Sequence, residues 1–134
     1  MMIPVNRKAI TYGILSYPLL YAAYVVFLNL VAQDDSTTPA EWLVLAINIL
    51  SWLGLLLPGY ITGRMAQYKG ILHGFITGIV AGGVSAMGFS VLLGDYWLGE
   101  SPWLNITYYI SYIVFMASVG GGIGQLHSKY ALRA

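Results

Sequence analysis

Four apolar stretches separated by short polar gaps account for most of this chain. They run roughly over residues 10–32, 42–63, 71–93 and 103–124, and none contains a charged residue. Crossing the hydrocarbon core of a bilayer takes about 20 apolar residues in a helix, so each stretch predicts one transmembrane helix. The gaps are short and polar, which makes sequential helices antiparallel neighbours. The expectation is an all-α polytopic membrane protein: one four-transmembrane-helix bundle over residues 1–134. The first stretch is too long for the apolar region of a cleaved signal peptide and lacks a small-x-small cleavage site.

The charges fall in the gaps, and their sign alternates from gap to gap. Arg7 and Lys8 precede the first span, Arg64 and Lys69 lie between the second and third, and Lys129 and Arg133 follow the fourth. Asp34, Asp35 and Glu41 fill the first gap, and Asp95 and Glu100 the third. Basic residues flanking membrane spans stay on the cytoplasmic side. The pattern therefore predicts a multi-pass protein of a prokaryotic cytoplasmic (inner) membrane with both termini in the cytoplasm. Trp42, Trp97 and Trp103 gather at the acidic side, and Tyr68 and Tyr130 at the basic side, as in an interfacial aromatic belt. Composition agrees: 58% of residues are hydrophobic, 8% are charged and mean hydropathy is +0.73, whereas soluble domains carry about 25% charged residues. A net charge of +1 with scattered basic residues gives no nucleic-acid footprint. The absence of cysteine excludes disulfides and thiolate chemistry.

Small residues mark where helices approach. Gly74, Gly78, Gly82, Ala86, Ser90 and Gly94 recur every fourth residue along the third span, one per helical turn. In lipid, such columns let backbones come close and supply the packing that hydrophobicity supplies in water. Gly59 and Gly63 repeat the spacing on the second span, and Gly120, Gly121 and Gly124 belong to the same pattern on the fourth. The third span is accordingly the candidate central helix. Four short helices have few ways to bury three small-residue faces, which points to a homo-oligomer or a membrane-protein partner besides the lipid bilayer.

The first span has the opposite character. Tyr17, Tyr21 and Tyr24 share one face, and hydroxyls near mid-membrane need acceptors. Asn48, Ser51, Ser85 and Tyr112 lie at similar depths. Tyr17, Tyr21, Tyr24, Asn48, Ser51 and Tyr112 are the candidate lining of a small-molecule or lipid pocket, which kinks at Pro18 and Pro58 would help to open.

Sliding the chain along itself by 61 residues aligns Lys8 with Lys69, Gly13 with Gly74, Asp34 with Asp95, Trp42 with Trp103, Gly59 with Gly120 and Gly63 with Gly124. Nine identities fall in 73 aligned positions; a shared hairpin grammar produces some of these without duplication. A true duplication would make the bundle two tandem helical hairpins related by a pseudo-two-fold axis along the membrane normal.

No Asp, Glu, Lys or Arg lies within a span, which removes the usual machinery of ion-coupled transport. His73 and His127 lie beside basic residues at the cytoplasmic ends and read as interfacial anchors. No HExxH, GxSxG or catalytic carboxylate pair is present. The expectation is therefore no enzyme, no cofactor and no metal.

The stretch Pro58-Gly59-Tyr60-Ile61-Thr62-Gly63-Arg64 followed by Lys69-Gly70-Ile71-Leu72-His73-Gly74 resembles the centre of small four-span prokaryotic proteins of the YrzE-like families. The resemblance covers about a quarter of the chain and implies a four-helix bundle in a prokaryotic membrane, without an activity. Gly121-Gly122-Ile123-Gly124-Gln125 is similar to the opening motif of small fluoride channels, but it lies in the last span and lacks the Phe-Ser-Thr-Phe segment, so that resemblance is set aside. The functional expectation is a non-enzymatic membrane protein acting through glycine-mediated helix association, as an accessory subunit or self-associating scaffold. The alternative is a small channel or transporter for a neutral or weakly charged solute.

Overall fold

The computed structural model describes residues 5–31, 41–94 and 100–131. Asp34, Asp35, Asp95, Trp97 and Arg133 therefore lie outside the described residues. Four helices make up the described chain: α1 (Arg7–Val31), α2 (Glu41–Ala66), α3 (Gly70–Leu93) and α4 (Pro102–Ala131). Each is long and apolar enough to cross a membrane, and among the described residues there is no strand. The chain is an all-α, multi-pass four-helix bundle. The fourth helix runs to Ala131 rather than ending at Gly124, because Gly120, Gly121, Gly122 and Gly124 are held in helix by packing on α2 and α3.

The bundle is built inside out relative to a soluble protein. Among the described residues, the buried apolar side chains are mostly alanines, with Ile113 and Pro58 the larger ones. Its large apolar side chains, such as Leu19, Met87, Val91 and Leu126, point outward. Lipid is as apolar as leucine, so burying leucine gains little there, whereas close contact between backbones gains dispersion energy. The small residues therefore take the interior.

The third helix packs on α1, α2 and α4 and is the most buried of the four spans, in keeping with its small-residue column. α4 packs along both α2 and α3, while α1 packs on α2 and α3. Among the described residues, α1 makes no backbone-level packing against α4. α4 lies along both α2 and α3 because it carries small residues on two faces: Gly120 and Gly124 turn to α2, and Gly121 turns to α3.

Contact is tightest at the basic end and loosens toward the acidic end. A Cβ at Gly74 would collide with the carbonyl of Ala117, and one at Gly78 would lie 2.7 Å from the Cα of Val114. At Gly82 it would be 3.5 Å from Ile110, ordinary contact. Ala86 is buried, and Ser90 Oγ donates to the Ala86 carbonyl of its own helix at 2.8 Å. The expected uniform column is thus a close contact over its first half only.

The turn between α2 and α3 fixes this tight end. Gln67 and Lys69 both adopt left-handed backbone, at φ 62° and 44°, so the reversal takes only residues 67–69. α3 then begins with Gly70 lying directly on the backbone of Gly121. The Gly70 amide has no partner within its own helix; it donates to Gln125 Oε1 of α4 at 2.6 Å. Gln125→Leu should remove that cap and cost about 1 kcal/mol, measurable as a lower thermal midpoint in detergent, with helix content unchanged below the transition.

Candidate functional site

The predicted association residues come together within one chain. Gly59 meets the backbone of Ala117, and Gly63 that of Gly121. In return, Gly120 meets the carbonyl of Leu56, and Gly124 that of Tyr60. These contacts are reciprocal under the 61-residue offset: Gly120 is the counterpart of Gly59, and Ala117 that of Leu56. Likewise Gly124 corresponds to Gly63, and Gly121 to Tyr60. The α2–α4 contact therefore has the form of a two-fold interface, in which residue i meets j and the counterpart of i meets the counterpart of j. The glycine face of α3 is covered by α4 and is not open to another copy, which corrects the expectation of a surplus column there. Gly83 and Gly88 are the glycines of α3 that face open space.

The other pairs of helices do not follow the offset. α3 packs on α2, but the corresponding pair, α1 and α4, is apart. Gly13 approaches the carbonyl of Pro58, at 2.9 Å from an added Cβ, together with Thr62 Oγ1 and Thr77 Cγ2. Its counterpart Gly74 approaches Ala117 instead, two positions from the equivalent of Pro58. Beyond Gly13 toward the acidic end, α1 meets the bundle through rings, Tyr17 reaching Tyr109 and Tyr21 packing on Phe89.

The space this leaves is a half-open cavity of about 540 Å³ between α1 and α2. Its walls include Tyr17, Tyr21 and Tyr24 from α1 and Leu50, Ser51, Gly54 and Leu57 from α2. Phe89 of α3 and Tyr109 of α4 complete it. Tyr21 packs edge-on against Phe89 with ring centroids 5.5 Å apart, and Phe89 against Tyr109 at 5.9 Å. The Tyr17 and Tyr109 hydroxyls lie 3.3 Å apart, and Ser85 joins the same hydrogen-bonded group. Among the described residues, no charged residue lines the cavity. Its basic end is closed by the Gly13–Pro58–Thr62 contact.

Four of the six predicted lining residues are present: Tyr17, Tyr21, Tyr24 and Ser51. Asn48 and Tyr112 are not. Asn48 is exposed, and its Nδ2 donates to the Val44 carbonyl of its own helix at 2.9 Å. Residue 112 lies three positions beyond Tyr109, so on α4 it is Tyr109 that reaches the Tyr17 hydroxyl. Phe89, Tyr109 and Gly54 were missed. Pro58 has no amide hydrogen, so the Gly54 carbonyl lacks the usual i+4 donor, and a Cβ added at Gly54 would meet nothing within 4 Å. The Gly54–Pro58 spacing is the signal that could have placed the cavity on α2.

Below the cavity a polar seam runs along α3 toward the basic end. Thr77 Oγ1 and Thr62 Oγ1 lie 3.1 Å apart, and Thr62 also donates to the Pro58 carbonyl at 2.8 Å. His73 is fully buried, not an interfacial anchor. Its Nε2 accepts from the Asn6 amide at 3.0 Å, so its Nδ1 carries the proton, which it donates to the Lys69 carbonyl at 3.0 Å. Asn6 in turn caps α1, its Oδ1 accepting from the Ala9 amide at 3.1 Å. His73 therefore ties the start of α1 to the start of α3. His127 is exposed at the same end, with its Nδ1 against the Tyr60 hydroxyl.

Searches of family models, of curated proteins and of solved structures gave no match to this chain.

Proposed function

We propose that this chain is a non-enzymatic integral membrane protein that binds a neutral, mostly apolar molecule in the cavity between α1 and α2. The observation that carries this reading is the cavity itself. Its size falls within the range of about 300–1,000 Å³ typical of small-molecule sites. Its walls are leucines and aromatic rings, and its polar groups are uncharged hydroxyls. Such a lining suits a lipid-like body with one uncharged oxygen that meets Tyr17 and Tyr109, and it offers no counter-ion to a charged solute. Glycine-mediated association then serves the chain internally: it makes the basic half a rigid base for the cavity.

The basic residues Arg7, Lys8, Arg64, Lys69 and Lys129 flank the helices at one end, and Glu100 lies at the other. That distribution supports a prokaryotic inner-membrane protein with both termini in the cytoplasm, and the resemblance to YrzE-like proteins fits it. An assembly with a second copy or a partner subunit would use lipid-facing surface such as that around Gly83 and Gly88.

Gly54→Leu extends a side chain into the cavity from a position where an added Cβ meets nothing within 4 Å. A long-chain alcohol should raise the thermal midpoint of the wild-type protein, since a ligand of the folded state stabilises it by mass action. The same alcohol should leave Gly54→Leu unmoved. Equal shifts in both proteins would sink the proposal.

The polar seam favours a second reading, passage of a small neutral solute. A path would run from the Tyr17–Tyr109 hydroxyls past Thr62 and Thr77 to His73. It requires the Gly13 contact to open. Purified protein in liposomes should then pass a neutral solute, and Gly13→Val should alter the rate; a permeability equal to that of empty liposomes removes this reading.

A further inference from the structure

The repeat offset sets the two hairpins apart at the positions where α1 lines the cavity. In the second hairpin, α3 closes on α4 at Gly74 and Gly78, and Gly82 lies in ordinary contact with it. The counterparts of these positions on α1 are Gly13, Tyr17 and Tyr21. Gly13 still makes a close contact, with Pro58 and Thr62. At the next two turns, where α3 presents bare backbone, α1 presents rings. Those rings bridge the interior: Tyr17 reaches the Tyr109 hydroxyl across 3.3 Å, and Tyr21 packs on Phe89. Both line the cavity.

We infer that Tyr17 and Tyr21 are the residues that determine the cavity, acting as wedges at the two repeat positions where the closed hairpin carries glycine. The two hairpins then divide the labour: the second, with glycine at these positions, is the closed structural half, and the first, with tyrosine there, is the binding half. This inference rests on the binding role proposed above for the cavity, but its geometric content does not depend on any ligand.

The chain has no cysteine, so spin labels can be placed in pairs without background. Val26 and Leu45 are exposed near the acidic ends of α1 and α2, at 58% and 60%. Their counterparts on the closed hairpin are Met87 and Ile106. Helix axes pack about 8–10 Å apart depending on the side chains between them. The Val26→Cys/Leu45→Cys distance in otherwise wild-type protein should therefore exceed the Met87→Cys/Ile106→Cys distance by about 2 Å, the width of that range. Adding Tyr17→Gly and Tyr21→Gly should bring the first distance down to the second and abolish the alcohol-induced thermal shift.

An unchanged distance in the folded double variant overturns the inference, because the glycines would then have enlarged the cavity instead of closing it. If the double variant does not fold, Tyr21→Gly alone keeps the Tyr17–Tyr109 pair and should give part of the shortening; no shortening there overturns it equally. Shortening in a protein that shows no alcohol shift even as wild type upholds the wedge and refutes the ligand, so the two failures are separable.

Discussion

Gly63→Ala and Gly124→Ala should each destabilise the protein severely, although each adds a single methyl group. An added Cβ at Gly63 runs into the backbone of Gly121, and one at Gly124 into the carbonyl of Tyr60. Backbone cannot rotate away as a flexible side chain can, so α2 and α4 must separate along the tightest part of the bundle. Overpacking a well-filled core costs typically 1–3 kcal/mol and sometimes more; a backbone collision at the central contact should reach about 3 kcal/mol, the upper end of that range. The controls are built into the chain. Gly83→Ala and Gly88→Ala face open space and should change stability by less than about 0.5 kcal/mol. Thermal unfolding in detergent separates the two classes. Equal effects at Gly63 and Gly83 would mean that the in-chain contact is not what these glycines serve.

His73→Leu should be the next most damaging change. The ring is fully buried and uses both nitrogens, one accepting from the Asn6 amide and the other donating to the Lys69 carbonyl. Leucine fills a similar volume but leaves the Asn6 amide without its acceptor, at a cost of about 1–3 kcal/mol for a part-buried polar group. The loss is local: Asn6 caps α1, so the start of α1 should loosen from α3 first. Amide exchange at Asn6 and Ala9 should accelerate before the rest of the bundle melts. His127→Leu, at an exposed position, should do far less. Comparable losses at the two histidines would contradict the distinct roles assigned to them.

The elements themselves were legible because lipid imposes a simple code. A run of apolar residues with charges only at its ends has few alternatives to a spanning helix, and all four runs became helices. The small residues also announced where backbones would meet, since little else in such a sequence permits that approach. What the pattern could not tell was the partner of each face. A column of glycines on α3 is equally suited to α4 or to another protein, and only the presence of two small faces on α4 decides it. His73 was misread for a related reason. Its neighbour Lys69 marks an interface, but the tight turn at residues 67–69 carries the first turn of α3 inward beneath α1.

The cavity was half legible. The tyrosine face of α1 was visible from spacing alone, and Tyr17, Tyr21 and Tyr24 do line the site. Their partners were chosen by depth, and depth does not give azimuth. Asn48 lies at a suitable height on α2 but turns to its own helix, and Tyr109 rather than Tyr112 faces Tyr17. The 61-residue offset held the more useful information. It pairs Tyr17 with Gly78 and Tyr21 with Gly82, rings on α1 against bare backbone on α3.

The central claim is that the acidic half of the first hairpin holds a site for a neutral, lipid-like molecule. Photolabelling with a long-chain alcohol that carries a diazirine, followed by mapping of the modified peptides, tests it directly. The account predicts label concentrated on residues 17–24 and 50–57, with Phe89 and Tyr109 also marked, and lost from these segments in Gly54→Leu. Label spread evenly over the lipid-facing surfaces of all four helices, and unchanged in Gly54→Leu, would contradict it.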